Sequence, residues 1–183
     1  MVAGVSDPSL HPAVDAADFH VVLVEPQIPP NTGNVARLCA ALEIPLHLVG
    51  RLGFSLEDRY LRRAGLDYWP YVDLRLWPDA EAFFARLPAD RLHWFSRHAG
   101  GCFWDCAYAR GDVFVFGSEI SGLPGWLREA YPGRGRRLPM RHPQVRSLNL
   151  ASAVAAAVYE GMRQLRSRGL SLGNACDTTP GGK

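Results

Sequence analysis

The sequence has almost no lysine, only four cysteines and no long apolar run. Nineteen of its 20 cationic residues are arginine, and the cysteines stand at positions 39, 102, 106 and 176 without the spacing of a disulfide framework. No apolar stretch approaches the roughly 20 residues that a membrane span requires, and the N-terminal segment does not read as a secretory signal. These absences predict a soluble, cytoplasmic protein that does not bind a membrane.

Several catalytic and cofactor-binding motifs are also missing. There is no Gly-x-Ser-x-Gly segment of the kind that carries the nucleophile of a Ser-His-Asp hydrolase. The sequence has neither a complete dinucleotide fingerprint, as a nucleotide-binding oxidoreductase would need, nor a Walker loop. His98, Cys102 and Cys106 could form half of a zinc site, but no second pair stands at a suitable spacing, so no metal site is predicted.

The length and composition fit one globular α/β domain. The 183 residues, 48% hydrophobic and 21% charged, can bury an ordinary core without a second domain. Apolar runs that predict strands alternate with patterns that predict helices. The predicted strands are 20–25, 46–49, 68–74 (the weakest), 92–96, 112–116 and 137–140, and the predicted helices are 32–43, 79–87, 124–130 and 148–166. Strands of this kind favour a parallel sheet covered by helices on both faces.

The domain is expected to span residues 19–168, between mobile tails at 1–18 and 169–183 that lack periodicity. The first predicted helix has a clear core face, formed by Val35, Leu38, Cys39 and Leu42. In parallel sheets, ligands bind at the carboxyl ends of the strands. The loops that follow residues 25, 96, 116 and 140 are therefore the places to look for function.

Arginines are concentrated in the last part of the chain. Residues 134–168 contain eight arginines and one acid, Glu160, although the whole chain has a net charge of only +2. A bias toward arginine codons would explain the scarcity of lysine, but it explains the clustering less well. A basic field rich in guanidinium groups is suited to the phosphates and bases of a nucleic acid.

Polar loops at two predicted helix starts are candidate binding sites. Asn31 and Thr32 precede the first helix and Arg37 lies about one turn inside it, which is typical of an anion site. The alternative is that the polar side chains only cap the helix. Ser147 and Asn149 occupy the equivalent position before the last helix, where free backbone N–H groups suit a polar ligand.

Two further segments carry candidate residues. Gly117 and Gly122 follow a predicted strand, and glycines let the backbone approach a ligand closely; a plain strand-to-helix turn is the alternative. The stretch 60–69 interleaves Arg62 and Arg63 with aromatic residues and would suit RNA. Packing of its aromatic side chains under a loop is an equally good explanation.

Three segments together resemble, in order and spacing, the motifs of the TrmH-like branch of the SPOUT superfamily of RNA methyltransferases. They are Asn34-x-x-Arg37, Phe116-Gly117-x-Glu119-x-x-Gly122-Leu123-Pro124, and Leu138-Pro139-Met140 followed by Ser147-Leu148-Asn149-Leu150. The segments 25–34 and 61–68 are similar to the small single-domain TrmL type, which methylates the ribose 2′-oxygen of the wobble nucleotide in certain tRNAs. The likeness covers about residues 20–166.

The resemblance implies an α/β fold with a C-terminal trefoil knot, a homodimer formed through the C-terminal helix region, and S-adenosylmethionine as cofactor. It implies tRNA as substrate, with cytidine or uridine 34 as the target, and not DNA. Arg37 and Asn149 match the catalytic positions. The positions that match or are assigned to cofactor binding are Phe95, Gly117, Glu119, Gly122, Leu138, Met140, Ser147 and Leu148. Those assigned to RNA are Arg62, Arg63, Arg141 and Arg146.

The chemistry fits these residue types. Transfer of a methyl group from a sulfonium to a hydroxyl is an in-line displacement, so the enzyme must align the reactants and stabilise the developing alkoxide. Arg37 stays protonated and is a poor base, so we assign it to the target phosphate and the oxyanion and leave the proton acceptor open. Ser118 and Ser121 replace a common proline and arginine of the TrmL type. The same chemistry on ribosomal RNA or another tRNA position, or a non-catalytic RNA-binding module, remains as an alternative.

Overall fold

Parallel strands and helices alternate in the computed structural model, which describes residues 17–56 and 68–169. The strands are β1 Phe19–Val24, β2 Leu46–Val49, β3 Leu74–Trp77, β4 Leu92–Phe95, β5 Gly101–Cys102, β6 Asp112–Phe116 and β7 Gly135–Arg137. The helices are α1 Pro29–Ala41, α2 Ala80–Phe84, α3 Gly125–Ala130 and α4 Leu150–Ser167, and short 3-10 helices cover Trp69–Tyr71 and Phe103–Asp105. This alternation confirms the predicted α/β class.

The strands form one sheet in the order β3-β2-β1-β6-β4-β7-β5, and every adjacent pair is parallel. The carboxyl ends of all the strands therefore lie along the same edge of the sheet. The strand order is compatible with the predicted trefoil knot, which stays a prediction.

Each face of the sheet supports its own core. In β1, Val21 and Leu23 belong to a cluster with residues of α1 and α4, while Val22 and Val24 belong to a second cluster with residues of α2 and α3. Successive side chains of a strand point to opposite faces, so this division confirms helices on both sides. The predicted core face of α1 is also confirmed, since Val35 and Cys39 are fully buried. No helix in the described ranges combines the length and apolar character needed to cross a membrane.

Three local predictions were wrong. The stretch 68–74 contains a 3-10 turn at Trp69–Tyr71 rather than a strand, and β3 begins only at Leu74. The strand predicted at 137–140 lies at Gly135–Arg137, because Pro139 has no N–H to donate to a ladder. Helix α1 begins at Pro29, not after a polar cap: Ile28 is the N-cap, and two prolines with suitably fixed φ form the first turn.

A chain of buried polar rings crosses β1, β2 and β3. The indole N–H of Trp77 donates to Nδ1 of His47 at 3.0 Å, and Nε2 of His47 lies 3.2 Å from Nδ1 of His20. Because Nδ1 of His47 accepts, its Nε2 carries the hydrogen and donates to His20. Burial, with the nearby His20 and Arg75, holds the pKa of His47 well below its ordinary value. His47 is therefore a neutral, hydrogen-bonded component of the core.

The predicted tails lie almost entirely outside the described residues, as do Arg62 and Arg63. The domain boundaries at 19 and 168 stay predictions. Within the described part, Asp18 already forms an ion pair with Arg110 at 2.7 Å.

Candidate active site

A cavity of about 770 Å³ opens at the carboxyl edge of the sheet. The ends of β4 and β6, the segment after β7, and the starts of α1 and α4 surround it. All eight residues predicted to bind the cofactor line it, together with Asn149 and Arg146. The structure thus brings together segments that lie more than 100 residues apart in the chain.

Phe95 and Phe116 form an apolar part of the cavity wall. Their rings stack at 4.7 Å with an angle of 11° between their planes, and both side chains are almost fully buried. They stand opposite each other on adjacent strands, β4 and β6. Sheet pairing therefore holds this surface rigidly.

The loop after β6 is closed by backbone hydrogen bonds between Ser118 and Gly122, which donate to each other's carbonyl oxygens at 3.1 and 2.9 Å. A Cβ at position 117 would collide with the backbone of Gly122 and Leu123, so only glycine fits there. Gly122 itself has a φ of +71°, a conformation that L side chains rarely adopt. The two glycines are required for the loop to present its backbone to the cavity.

The carboxylate of Glu119 joins this loop to the start of α1. One oxygen accepts from the backbone N–H of Gln27 and the other from the side-chain amide of Asn31, both at 2.9 Å. Both oxygens of Glu119 are therefore engaged within the protein. The contacts fit a positioning role in the cavity wall, beside the cofactor-binding role that was predicted.

Asn31 passes the connection on to Asn149. The Oδ1 atom of Asn31 accepts from Nδ2 of Asn149 at 2.9 Å, and Oδ1 of Asn149 accepts from the N–H groups of Ala151 and Ser152. Asn149 thus caps α4, as its position before that helix suggests. We call this chain of contacts from Glu119 through Asn31 to Asn149 the amide relay.

The orientation of each amide in the relay is determined by its two ends. A carboxylate can only accept and backbone N–H groups can only donate, so both asparagines have a single arrangement that satisfies every contact. The relay links the starts of α1 and α4 to the loop after β6. Sequence reasoning identified these three segments but not the hydrogen bonds between them.

Three arginines, Arg97, Arg128 and Arg146, line the cavity. Arg97 donates to the carbonyl of Arg146 at 3.3 Å and to Nε2 of His98 at 2.9 Å. Glu119 is the only acid among the lining residues, and its oxygens are already engaged. The cavity therefore favours anions. Sequence reasoning missed Arg97 and Arg128, although the position of Arg97 just after β4 was a usable signal.

Of the other predicted residues within the described ranges, Arg37 and Arg141 do not line this cavity. Arg37 is exposed, and its guanidinium lies 5.7 Å from the centre of the Tyr68 ring. The hydroxyl of Tyr68 donates to the carbonyl of Gly33 at 3.0 Å, which fixes that ring against α1. Arg141 is exposed beside the cavity segment.

The arginines of 134–168 are dispersed in the fold. Arg146 lines the candidate active site, whereas Arg134 and Arg136 line a different cavity. Arg163 is paired with Glu160 at 2.8 Å, and Arg168 donates to the carbonyl of Tyr108 at 2.6 Å. The local charge at the site thus comes partly from arginines outside the cluster.

His98 and the cysteines considered with it are separated. His98 lines the candidate active site, whereas Cys102 and Cys106 line the other cavity. Among residues 17–56 and 68–169, no group of three or more metal-ligating side chains is arranged to hold a metal ion.

Comparisons with known proteins agree with these motifs. The model of the SpoU rRNA Methylase family matches residues 18–159. A tRNA (cytidine(34)-2′-O)-methyltransferase of Burkholderia cenocepacia is 52% identical over 149 residues, which cover 80% of this chain and 95% of the relative. The protein of the same name from Aeromonas hydrophila is 44% identical over 146 residues, covering 79% and 93%.

Solved structures share the fold. One, reported for the 2-OH methylation of C/U34 on tRNA, has 47% identity and a TM-score of 0.75, covering 82% of this chain and 97% of its own. The SpoU methyltransferase AviRb of Streptomyces viridochromogenes, in complex with AdoMet, has 24% identity and a TM-score of 0.73, covering 85% and 64%, which shows a common fold. The predicted resemblance is confirmed: the chain belongs to the SpoU rRNA methylase family.

Proposed function

We propose that this protein is a cytoplasmic methyltransferase that transfers a methyl group from S-adenosylmethionine to the ribose 2′-oxygen of nucleotide 34, cytidine or uridine, in tRNA. Relatives about half identical over four fifths of the chain carry that activity in their names. The observation that carries the proposal is the single cavity lined by all eight residues predicted to bind the cofactor.

The fit of the cofactor rests on the irregular backbone around the cavity. Residues 138–149 belong to no helix or strand, and they follow β7 directly into the cavity wall. Within this segment Leu138 and Met140 are half-buried and residues 141–149 are exposed, so its backbone N–H and C=O groups are accessible for hydrogen bonds to a nucleoside with an amino acid tail. Leu138 and Met140 would face it from one side, and the Gly117–Gly122 loop from the other. The cofactor supplies the methyl group and its sulfonium leaving group.

The arginines would hold the substrate. Arg97, Arg128 and Arg146 offer planar guanidinium groups that can bind tRNA phosphates in bidentate fashion at the cavity. Their positions would set the ribose hydroxyl in line with the donor, and alignment is the main contribution this reaction needs from the protein.

Arg37 is assigned to the phosphate next to the target and to the oxyanion that develops on the ribose. In a single chain it lies outside the cavity, so it would act on RNA that crosses α1, or on the site of a second protomer. Its contact with the Tyr68 ring keeps the guanidinium beside α1. Asn149 is assigned to the reacting centre through its position in the cavity wall.

A homodimer through α4 is part of the proposal. The exposed side of this helix carries small residues, Ser152 and Ala156, and Tyr159 is 55% exposed on the same side. Small residues allow close approach of a second helix, and an exposed tyrosine is typical of interfaces. The trefoil knot belongs to the same proposal, since the cavity is built from the segments that would be threaded.

The test is methyl transfer with purified protein, S-adenosylmethionine and unmodified tRNA, followed by mapping of 2′-O-methylated positions. Methylation at nucleotide 34 is expected, with turnover lost in Arg37→Ala and retained in Arg86→Ala, an exposed arginine outside the cavity. Methylation at a different nucleotide or in ribosomal RNA would assign another target. Binding of tRNA without any affinity for S-adenosylmethionine in calorimetry would favour the non-catalytic RNA-binding module.

A further inference from the structure

A second cavity of about 770 Å³ lies at the opposite edge of the sheet and shares no lining residue with the candidate active site. The residues just before β4, the first residue of β6, and strands β5 and β7 contribute to it. Cys106 is half-buried in its wall. Methyl transfer at the other edge uses none of these groups.

Cys106 is the first member of a Cys-His-Asp arrangement. Its Sγ lies 3.6 Å from Nδ1 of His93, and Nε2 of His93 lies 3.0 Å from Oδ2 of Asp112. His93 and Asp112 are each only 2% exposed, so the ring and the carboxylate are shielded from water. All three residues line the cavity, and Cys106 is the most exposed of them.

The carboxylate determines which ring nitrogen faces the sulfur. Asp112 also accepts from the N–H of Ala109 at 2.8 Å, which holds it in place as an acceptor. Nε2 of His93 therefore carries a hydrogen and donates to Asp112, and Nδ1 is left to take the proton of the Cys106 thiol. This is the geometry by which an adjacent base activates a cysteine.

A guanidinium stabilises the charge that would result. Burial by itself would raise the pKa of Cys106, but its hydrogen bond with His93 and the nearby Arg136 outweigh burial and lower that pKa. Burial likewise opposes protonation of His93, yet its contacts with Asp112 and Cys106 raise its pKa. One amino group of Arg136 donates to the carbonyls of Gly133 and Gly135, which anchors the guanidinium beside the cavity.

Other titratable groups face this cluster from the elements around it. The ring of Tyr108 packs edge-on against His93 at 5.1 Å, and its hydroxyl donates to the carbonyl of Phe103. Burial, followed by Cys106, raises the pKa of Tyr108, so it stays neutral. Arg91 lies 3.7 Å from Asp112, and Cys102 lines the same cavity. The charged residues of the cavity wall are three arginines and three aspartates: Arg91, Arg134, Arg136, Asp90, Asp105 and Asp112. Among them, Arg136 is the cation that lowers the pKa of Cys106.

We propose that Cys106 is a redox modification site, a thiolate that reduces peroxides in the second cavity and becomes a sulfenic acid. The cavity is wide enough for hydrogen peroxide and small organic hydroperoxides. Reactive cysteines are partly exposed and lie next to a histidine or another cationic group, as Cys106 lies next to His93 and Arg136, whereas buried ones are inert. Cys39, which is fully buried with a strongly raised pKa, is the inert kind in this chain.

The reaction balances with the groups present. The thiolate of Cys106 attacks one oxygen of the peroxide, an S–O bond forms, and the O–O bond breaks. The sulfur gives up two electrons, and the departing hydroxide takes the proton held on Nδ1 of His93 and leaves as water. His93 is then neutral and Cys106 is a sulfenic acid.

The test uses the full-length protein, treated with hydrogen peroxide in the presence of dimedone, with labelled cysteines mapped by peptide mass spectrometry. Cys102 is the internal control, because it is half-buried in the same cavity and its thiol has no hydrogen bond among the described residues. We expect Cys106 to be labelled about tenfold faster than Cys102 at pH 7. Cys102→Ser should leave that rate unchanged, and Cys106→Ser should abolish it.

The rate of alkylation by iodoacetamide, measured across pH in the protein without substitutions, tests whether the Cys106 thiol is activated. This measurement does not depend on whether a variant folds. Cys106 should titrate with a midpoint below the ordinary thiol value of about 8.5, and Arg136→Gln should shift that midpoint upward. Equal labelling of Cys102 and Cys106, or an ordinary midpoint for Cys106, would overturn the proposal.

Discussion

Replacing Glu119 with glutamine tests the amide relay with the change of a single atom. Glutamine has one acceptor and one donor where Glu119 has two acceptors, while its partners, the N–H of Gln27 and the Nδ2 of Asn31, both donate. If the side-chain amides of Asn31 and Asn149 rotate by 180° to compensate, the mismatch moves to the backbone N–H groups at the start of α4, which cannot rotate. One donor therefore faces another donor in every arrangement.

The expected cost follows from these contacts. A hydrogen bond to a charged group contributes about 1.5–3 kcal/mol, and the half-buried position of Glu119 reduces this through solvent screening. We expect Glu119→Gln to lower the free energy of unfolding by about 1–2 kcal/mol. If the same free-energy cost must be met to arrange the cavity loops for binding, the affinity for S-adenosylmethionine falls about 5-fold to 30-fold.

A second substitution restores the pattern. In the double variant Glu119→Gln with Asn31→Asp, glutamine donates to the new carboxylate, which also accepts from Asn149, and the total charge is unchanged. The double variant should return to within about 0.5 kcal/mol of the original protein. Asn31→Asp alone should be less stable than both Glu119→Gln and the double variant, because two carboxylates then face each other.

Urea unfolding and calorimetric titration with S-adenosylmethionine measure the two effects. Glu129→Gln, at an exposed position on α3, is the matched control and should change stability by less than about 0.5 kcal/mol. Normal stability and affinity in Glu119→Gln, or additive losses in the double variant, would refute the relay.

Three further predictions concern other parts of the fold. His47 is neutral in the native state, whereas in the unfolded chain it takes up a proton below a pH of about 6.5. As the pH decreases below that value, the free energy of unfolding should decrease by up to about 1.4 kcal/mol per pH unit. His47→Asn keeps an acceptor for Trp77 and should flatten this part of the pH profile measured by urea unfolding. Gly117→Ala should weaken the binding of S-adenosylmethionine, measured by calorimetry, by more than about tenfold, because the new Cβ collides with the backbone of Gly122. Unchanged affinity would show that the loop can shift to accommodate the methyl group. Arg146→Ala should reduce the slope of log affinity for tRNA against log salt by about 1, and an unchanged slope would remove Arg146 from the phosphate contacts.

The sequence predicted the parts of the fold that depend on local pattern. The alternation of strands and helices, the range of β6 and the buried stripe of α1 follow from side-chain periodicity, which is a property of neighbouring residues. Seven of the eight cofactor positions lie in the motifs and Phe95 came from the family resemblance, and the rule on strand ends predicted that they would meet at one edge.

The errors lie where distant contacts decide. Asn31 looks like a helix cap by residue type, but its amide is committed to Glu119 and Asn149, which are 88 and 118 residues away. Arg97 belongs to none of the motifs; its place after a strand marked its loop, but its contact with Arg146 is formed only in the folded chain. Cys106 was considered only with His98 and Cys102, and His93 was not singled out, because a 13-residue separation has no helical or strand meaning until the fold brings the two side chains together.

The separation of 118 residues between the two asparagines of the relay has a consequence for synthesis of the protein. During translation, the first half of the chain can form β1, α1 and β2. The cavity wall that contains Asn149 cannot form until this residue has left the ribosome exit tunnel. A chain terminated upstream of α4 therefore lacks one wall of the cavity, and we expect no complete site in it.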